Sequence, residues 1–167
     1  MYKRKQDAKP QVISYDRVKS YMLWMIERYG DYSARALLQK ANLLFKDDTQ
    51  FNESALAYLI ERDIVNDLRY AQRLTASFSE KNIGVNKIKE KLYVKGFSSQ
   101  IINECVSALE TTEEDYFAKA LSLKVRKFGA EPIGDLKLKQ KALRHLIAKG
   151  FSYSIANQVI SYSAEQD

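Results

Sequence analysis

A long internal repeat governs this sequence. Residues 87–98 read Lys-Ile-Lys-Glu-Lys-Leu-Tyr-Val-Lys-Gly-Phe-Ser, and 54 positions later residues 141–152 read Lys-Ala-Leu-Arg-His-Leu-Ile-Ala-Lys-Gly-Phe-Ser. Lys-Gly-Phe-Ser recurs intact at 95–98 and 149–152. Beyond it, Ile101, Ile102, Cys105 and Val106 fall opposite Ile155, Ala156, Val159 and Ile160. Self-similarity with a period of about 50 residues marks stacked copies of one supersecondary unit.

The repeated tetrapeptide has a physical reading. Gly96 and Gly150 can take positive φ and end a helix. Phe97 and Phe151 then fold back onto the last turn. Lys95 and Lys149 sit near the negative helix end, and Ser98 and Ser152 are N-cap types for the next helix. The joint is helix, tight turn, helix, used twice.

A third copy lies upstream. Ser33 to Phe45 aligns with residues 84–96 at an offset of 51, Leu37 matching Ile88, Lys40 matching Lys91 and Ala41 matching Leu92. Phe45-Lys46-Asp47-Asp48 stands where the Gly-Phe turn belongs. Each copy follows a further helical stretch: Tyr15 to Tyr29, then Asp67-Leu68-Arg69-Tyr70-Ala71, then Glu114-Asp115-Tyr116-Phe117-Ala118. At that last offset of 47, Leu74 matches Leu121 and Phe78 matches Val125. The expected fold is all-α, an elongated array of three tandem three-helix repeats at 14–62, 65–110 and 113–163, behind a basic tail at 1–13. The only prolines, Pro10 and Pro132, leave 121 residues between them without one, as long helices require.

Composition narrows function. The chain has 167 residues, one Cys and one His. Cys105 therefore makes no internal disulfide, and a Cys-rich zinc site or a Cys/His catalytic pair has no material. Cys105, among Ile101, Ile102 and Val106, reads as a small buried apolar residue. No apolar run reaches the ~20 residues of a membrane helix, and no apolar signal core follows the basic start, so a cytoplasmic, non-membrane protein is expected. Phosphate-loop, dinucleotide-fold and nucleophile-elbow motifs are absent. Glu110, Glu113, Glu114 and Asp115, like Asp47 and Asp48, read as helix-boundary acids. The expectation is a protein that is not an enzyme, with no cofactor and no metal.

Net charge is +6, which favours polyanions or an acidic partner. The basic residues are patterned. Lys87, Lys91 and Lys95 recur every four residues, hence on one helix face. Their repeat equivalents are Lys141, His145 and Lys149, so adjacent units should present parallel basic rows, with Lys124, Arg126 and Lys127 as a further cluster. His145 reads as a member of this surface and not as a metal ligand. Tyr70, Phe78, Phe97, Phe117 and Phe151 read as core.

Ile64-Val65-Asn66-Asp67-Leu68-Arg69-Tyr70-Ala71, then Ile83-Gly84, then Ile88 to Phe97, resembles the signature of the RecX regulatory proteins. Ser33 to Ala41 resembles the family's first Ser-x-x-Glu-Leu-x-x-Lys-Leu segment, with Ala36 in place of the Glu, and residues 141–151 resemble its third repeat. The resemblance covers about residues 14–163. It implies a curved array and a negative regulator of the RecA recombinase, involved in DNA repair, recombination and the SOS response. Such a protein binds in the groove of the RecA–DNA filament and blocks or caps it, lowering ATPase, strand exchange and co-protease activity. The filament-facing residues are then Lys87, Lys91, Lys95, Lys124, Arg126, Lys127, Lys137, Lys141, His145 and Lys149, on a monomer. Contact with single- or double-stranded DNA is compatible with the same charge. A direct DNA-binding helical protein and a helical adaptor for another protein are the alternatives.

Overall fold

The computed structural model describes residues 13–46, 49–109 and 112–163. The expected tail at 1–13 lies outside them except for Ile13, as do Asp47, Asp48 and Glu110. The described residues form nine α-helices and no strand. They are α1 (Tyr15–Tyr29), α2 (Ala34–Leu44), α3 (Thr49–Glu61), α4 (Asp67–Ser79), α5 (Val85–Val94), α6 (Ser99–Ser107), α7 (Glu113–Phe128), α8 (Leu136–Ala148) and α9 (Tyr153–Ser161). The chain divides into two compact units at the Asn66–Asp67 bond.

In the first unit α3 packs on both α1 and α2. Val18, Met22, Leu37, Ala41, Phe45, Ala55 and Leu59 make its core. The spacing of Val18, Met22 and Met25 places an apolar stripe along α1. Ser33 caps α2, its hydroxyl accepting from the Ala36 N–H at 3.2 Å. The glycine turn missing here is replaced by Phe45 itself, which ends α2 at negative φ and buries its ring.

The second unit holds two three-helix packs. In each, the last helix packs on the first two: α6 on α4 and α5, α9 on α7 and α8. Ala71, Phe78, Ile88, Leu92, Phe97, Ile102 and Cys105 fill one core. Ala120, Leu123, Ala142, Leu146, Phe151, Ala156, Val159 and Ile160 fill the other. The repeated turn forms as its residues dictate. Gly96 and Gly150 take φ of 93° and 91°, where a side chain would be strained. Phe97 and Phe151 return amide bonds to Leu92 and Leu146 and bury their rings. Ser98 and Ser152 accept from the Ile101 and Ile155 N–H groups, capping α6 and α9. Thr112 and Asp115 close a reciprocal capping box at the start of α7.

One register differs from the repeat alignment. Val125, matched to the buried Phe78, is 41% exposed, while its neighbour Lys124 is fully buried. α7 is 16 residues long against 13 for α4. Its inward stripe runs through Ala120, Leu123 and Lys124, so similarity at the two helix starts does not carry to their ends.

Candidate partner interface

The lysine row on α5 lies along a helix anchored by Ile88 and Leu92, which point into the core. Lys91 and Lys95 are exposed, and Lys87 is half-buried. Lys87 is already partnered: its ammonium donates to both carboxylate oxygens of Glu90 at 2.7 Å. The Lys91 and Lys95 ammonium groups sit 5.4 and 6.0 Å from the ring centres of Phe78 and Tyr70 on α4. Aromatic faces attract cations at these distances, which orders the ends of two long side chains.

The second row lies on α8. Lys137 and Lys141 are exposed, and His145 and Lys149 are half-buried. His145 is held from α7. The Lys127 ammonium lies 3.0 Å from His145 Nδ1, and the Phe128 ring meets the imidazole edge to face at 5.8 Å. An ammonium has no acceptor, so Nδ1 accepts and the imidazole is neutral with its proton on Nε2. Burial lowers the His145 pKa below its ordinary value, and the charges of Lys127, Lys149 and Arg126 lower it further.

Among the described residues, α5 and α8 do not pack along each other; they meet at their ends. The Gly84 N–H donates to the Lys149 carbonyl at 2.8 Å, and the Asn86 N–H donates to the Gly150 carbonyl at 3.2 Å. Gly84 offers no side-chain cap to α5. The turn after α8 therefore satisfies one of the first-turn amides of α5, in a helix whose start has no side-chain cap. The last residue of the α8 row thus adjoins the start of α5.

Lys124 does not belong to this surface. It is fully buried, and its ammonium donates at 2.6 Å to the carbonyls of Ala130 and Glu131. It ties the loop after α7 to the helix. Burial lowers its pKa, opposed by the charge of Glu131. Its signal in the sequence was its place in the stripe of Ala120 and Leu123. Arg126 and Lys127, two and three residues on, are exposed.

Exposed apolar side chains also stand beside the rows. Tyr93 is 63% and Val94 78% exposed at the end of α5, and Ile147 is 45% exposed at the matching place on α8. A purely solvated face does not need them. Among the described residues, no cluster of three or more His, Cys, Asp or Glu is placed to hold a metal. No described helix is long and apolar enough to cross a membrane.

Comparisons with known proteins agree with this fold. The family described as "RecX, third three-helix domain" matches residues 113–160. A Regulatory protein RecX from Acinetobacter baylyi is 28% identical over 166 residues, covering 99% of each chain. Another from Clostridioides difficile is 33% identical over 135 residues, 80% of this chain and 62% of its own length. A crystal structure of RecX from Lactobacillus salivarius superposes with a TM-score of 0.70 at 20% identity, covering 87% of this chain and 94% of that one. That structure speaks to the fold; the sequence relatives, one of them matched from end to end, speak to descent. The chain belongs to the RecX family of regulatory proteins.

Proposed function

We propose that this chain is a negative regulator of the RecA recombinase that acts by occupancy and not by chemistry. Its three helical repeats, at 14–62, 65–110 and 113–163, are the binding units. They lie in the groove of the RecA–DNA filament and block or cap it, with lower ATP hydrolysis, strand exchange and co-protease activity as the result. Lys87, Lys91, Lys95, Arg126, Lys127, Lys137, Lys141, His145 and Lys149 face the filament. The observation that carries this reading is family membership combined with two basic helix faces that adjoin at the Gly84–Gly150 joint. Apolar Tyr93 and Val94 beside the α5 row suit a protein surface better than a bare phosphate backbone. Several weak contacts on one chain reinforce each other through effective concentration.

The test is DNA-dependent ATP hydrolysis by the cognate recombinase, with this protein added below one copy per recombinase subunit. Inhibition at concentrations too low to coat the DNA is the expected result. No inhibition, together with binding to naked DNA that weakens steeply with salt, would replace this reading with that of a direct DNA binder.

A further inference from the structure

Four basic residues converge where α7 ends beside the last turns of α8. Lys127 Nζ touches His145 Nδ1 at 3.0 Å, and Lys149 and Arg126 lie close enough to act on the same imidazole. Every charged group bearing on His145 is basic: Arg126 and Lys127 from α7, Lys149 from its own helix. Of the other elements at this end of α8, α9 has no charged residue, and the start of α5, which meets the turn after α8 at Gly84, brings Lys87 with its ammonium bound to Glu90. Arg126, Lys127 and Lys149 form no ion pair among the described residues, unlike Lys19 or Lys87. Like charges gathered without a carboxylate raise the free energy of the unbound surface. An anion removes that cost.

We propose that Arg126, Lys127, His145 and Lys149 form a binding site for a phosphate group, carried by a nucleic-acid backbone or by a free nucleotide. A phosphate offers several oxygens to donors arriving from two helices, and three fixed cations exceed what one carboxylate neutralises. Lys127 holds His145 neutral while the site is empty, because its ammonium occupies Nδ1 as donor. A phosphate oxygen takes that donor instead. Nδ1 is then released, the anion favours imidazolium, and His145 takes up one proton and becomes a further donor. Binding is therefore coupled to pH. Between the empty-site and occupied-site midpoints of His145, the Kd falls by up to about tenfold per unit drop in pH. The site shares its residues with the proposed filament face, but its test reads phosphate binding directly and stands whether or not the recombinase is inhibited.

The chain has one histidine, so its imidazole Cε1–H is a single proton resonance. It is titrated on the full chain in chloride, then in inorganic phosphate at matched ionic strength, then with a short oligothymidylate and with polyglutamate. The expected midpoint in chloride lies below the ordinary value for histidine. It moves upward in phosphate and with oligothymidylate, and moves less in Lys127→Gln. A shift with inorganic phosphate alone supports the site and assigns it to free phosphates. An unchanged midpoint in every addition overturns the proposal. So does a shift with polyglutamate only, or an undiminished shift in Lys127→Gln.

Discussion

Gly84 and Gly150 lie backbone to backbone, and neither has room for a Cβ. One added to Gly84 would overlap the Gly150 carbonyl, and one added to Gly150 would overlap the backbone nitrogen of Lys87. This contact brings the turn after α8 against the start of α5, so it sets how the two basic helices meet. The two glycines are needed for different reasons. Gly84 has ordinary negative φ, and only crowding excludes a side chain there. Gly150 needs its positive φ as well.

Gly84→Ala should therefore cost stability through overlap alone, about 1–3 kcal/mol or more. Gly134→Ala is the control, since a Cβ there meets nothing within 4 Å. It should be neutral, or stabilising by up to about 1 kcal/mol. Urea midpoints of the two variants measure the contrast; equal midpoints would show that the joint yields freely.

Lys124→Met keeps the buried stem and removes the ammonium that holds the carbonyls of Ala130 and Glu131. A loss of about 1–3 kcal/mol is expected from the abandoned acceptors. Faster amide exchange should appear in the loop 129–134 and spare α5. A surface lysine would give neither effect.

Reversing Lys87, Lys91 and Lys95 to Glu should raise the concentration needed for half-inhibition of recombinase ATPase by about tenfold or more. The helical circular dichroism should stay unchanged, because Ile88 and Leu92 and not the lysines anchor α5. Unchanged inhibition by the folded variant would remove this row from the interface.

His145 makes stability depend on pH. Its folded pKa is lowered, first by burial and then by Lys127, Lys149 and Arg126, while the unfolded chain titrates near 6.5. Between those two values the unfolded chain holds more protons, so stability rises with pH. The contribution is complete above about pH 6.5 and is lost as pH falls through the folded value. In unfolding experiments at pH 5 to 8, wild type should gain on His145→Gln as pH rises, then level off. A constant difference would mean that neither burial nor the basic neighbours lower the imidazole pKa.

What the sequence made legible is what neighbours in the chain decide together. Ser33, Ser98 and Ser152 cap helices through bonds spanning three residues. Gly96 and Gly150 reverse the chain within one turn, and Phe97 and Phe151 fold back over it. Cys105 is buried, as its company of Ile101, Ile102 and Val106 required. Such interactions close over a few residues at little entropic cost, so local composition specifies them, and repetition made them visible twice.

Tertiary structure alone decided where the charges went. Lys124 looks on paper like Lys127; only the return of the loop to Ala130 and Glu131 supplies the acceptors that let an ammonium be buried. The encounter of His145 with Lys127 spans 18 residues, and that of Gly84 with Gly150 spans still more. Together they set the end of the α8 row against the start of α5, with a histidine held neutral beside it. A periodic sequence states which face of a helix a residue occupies. It does not state which other face will be brought against it, because that depends on how whole packs of helices close on one another.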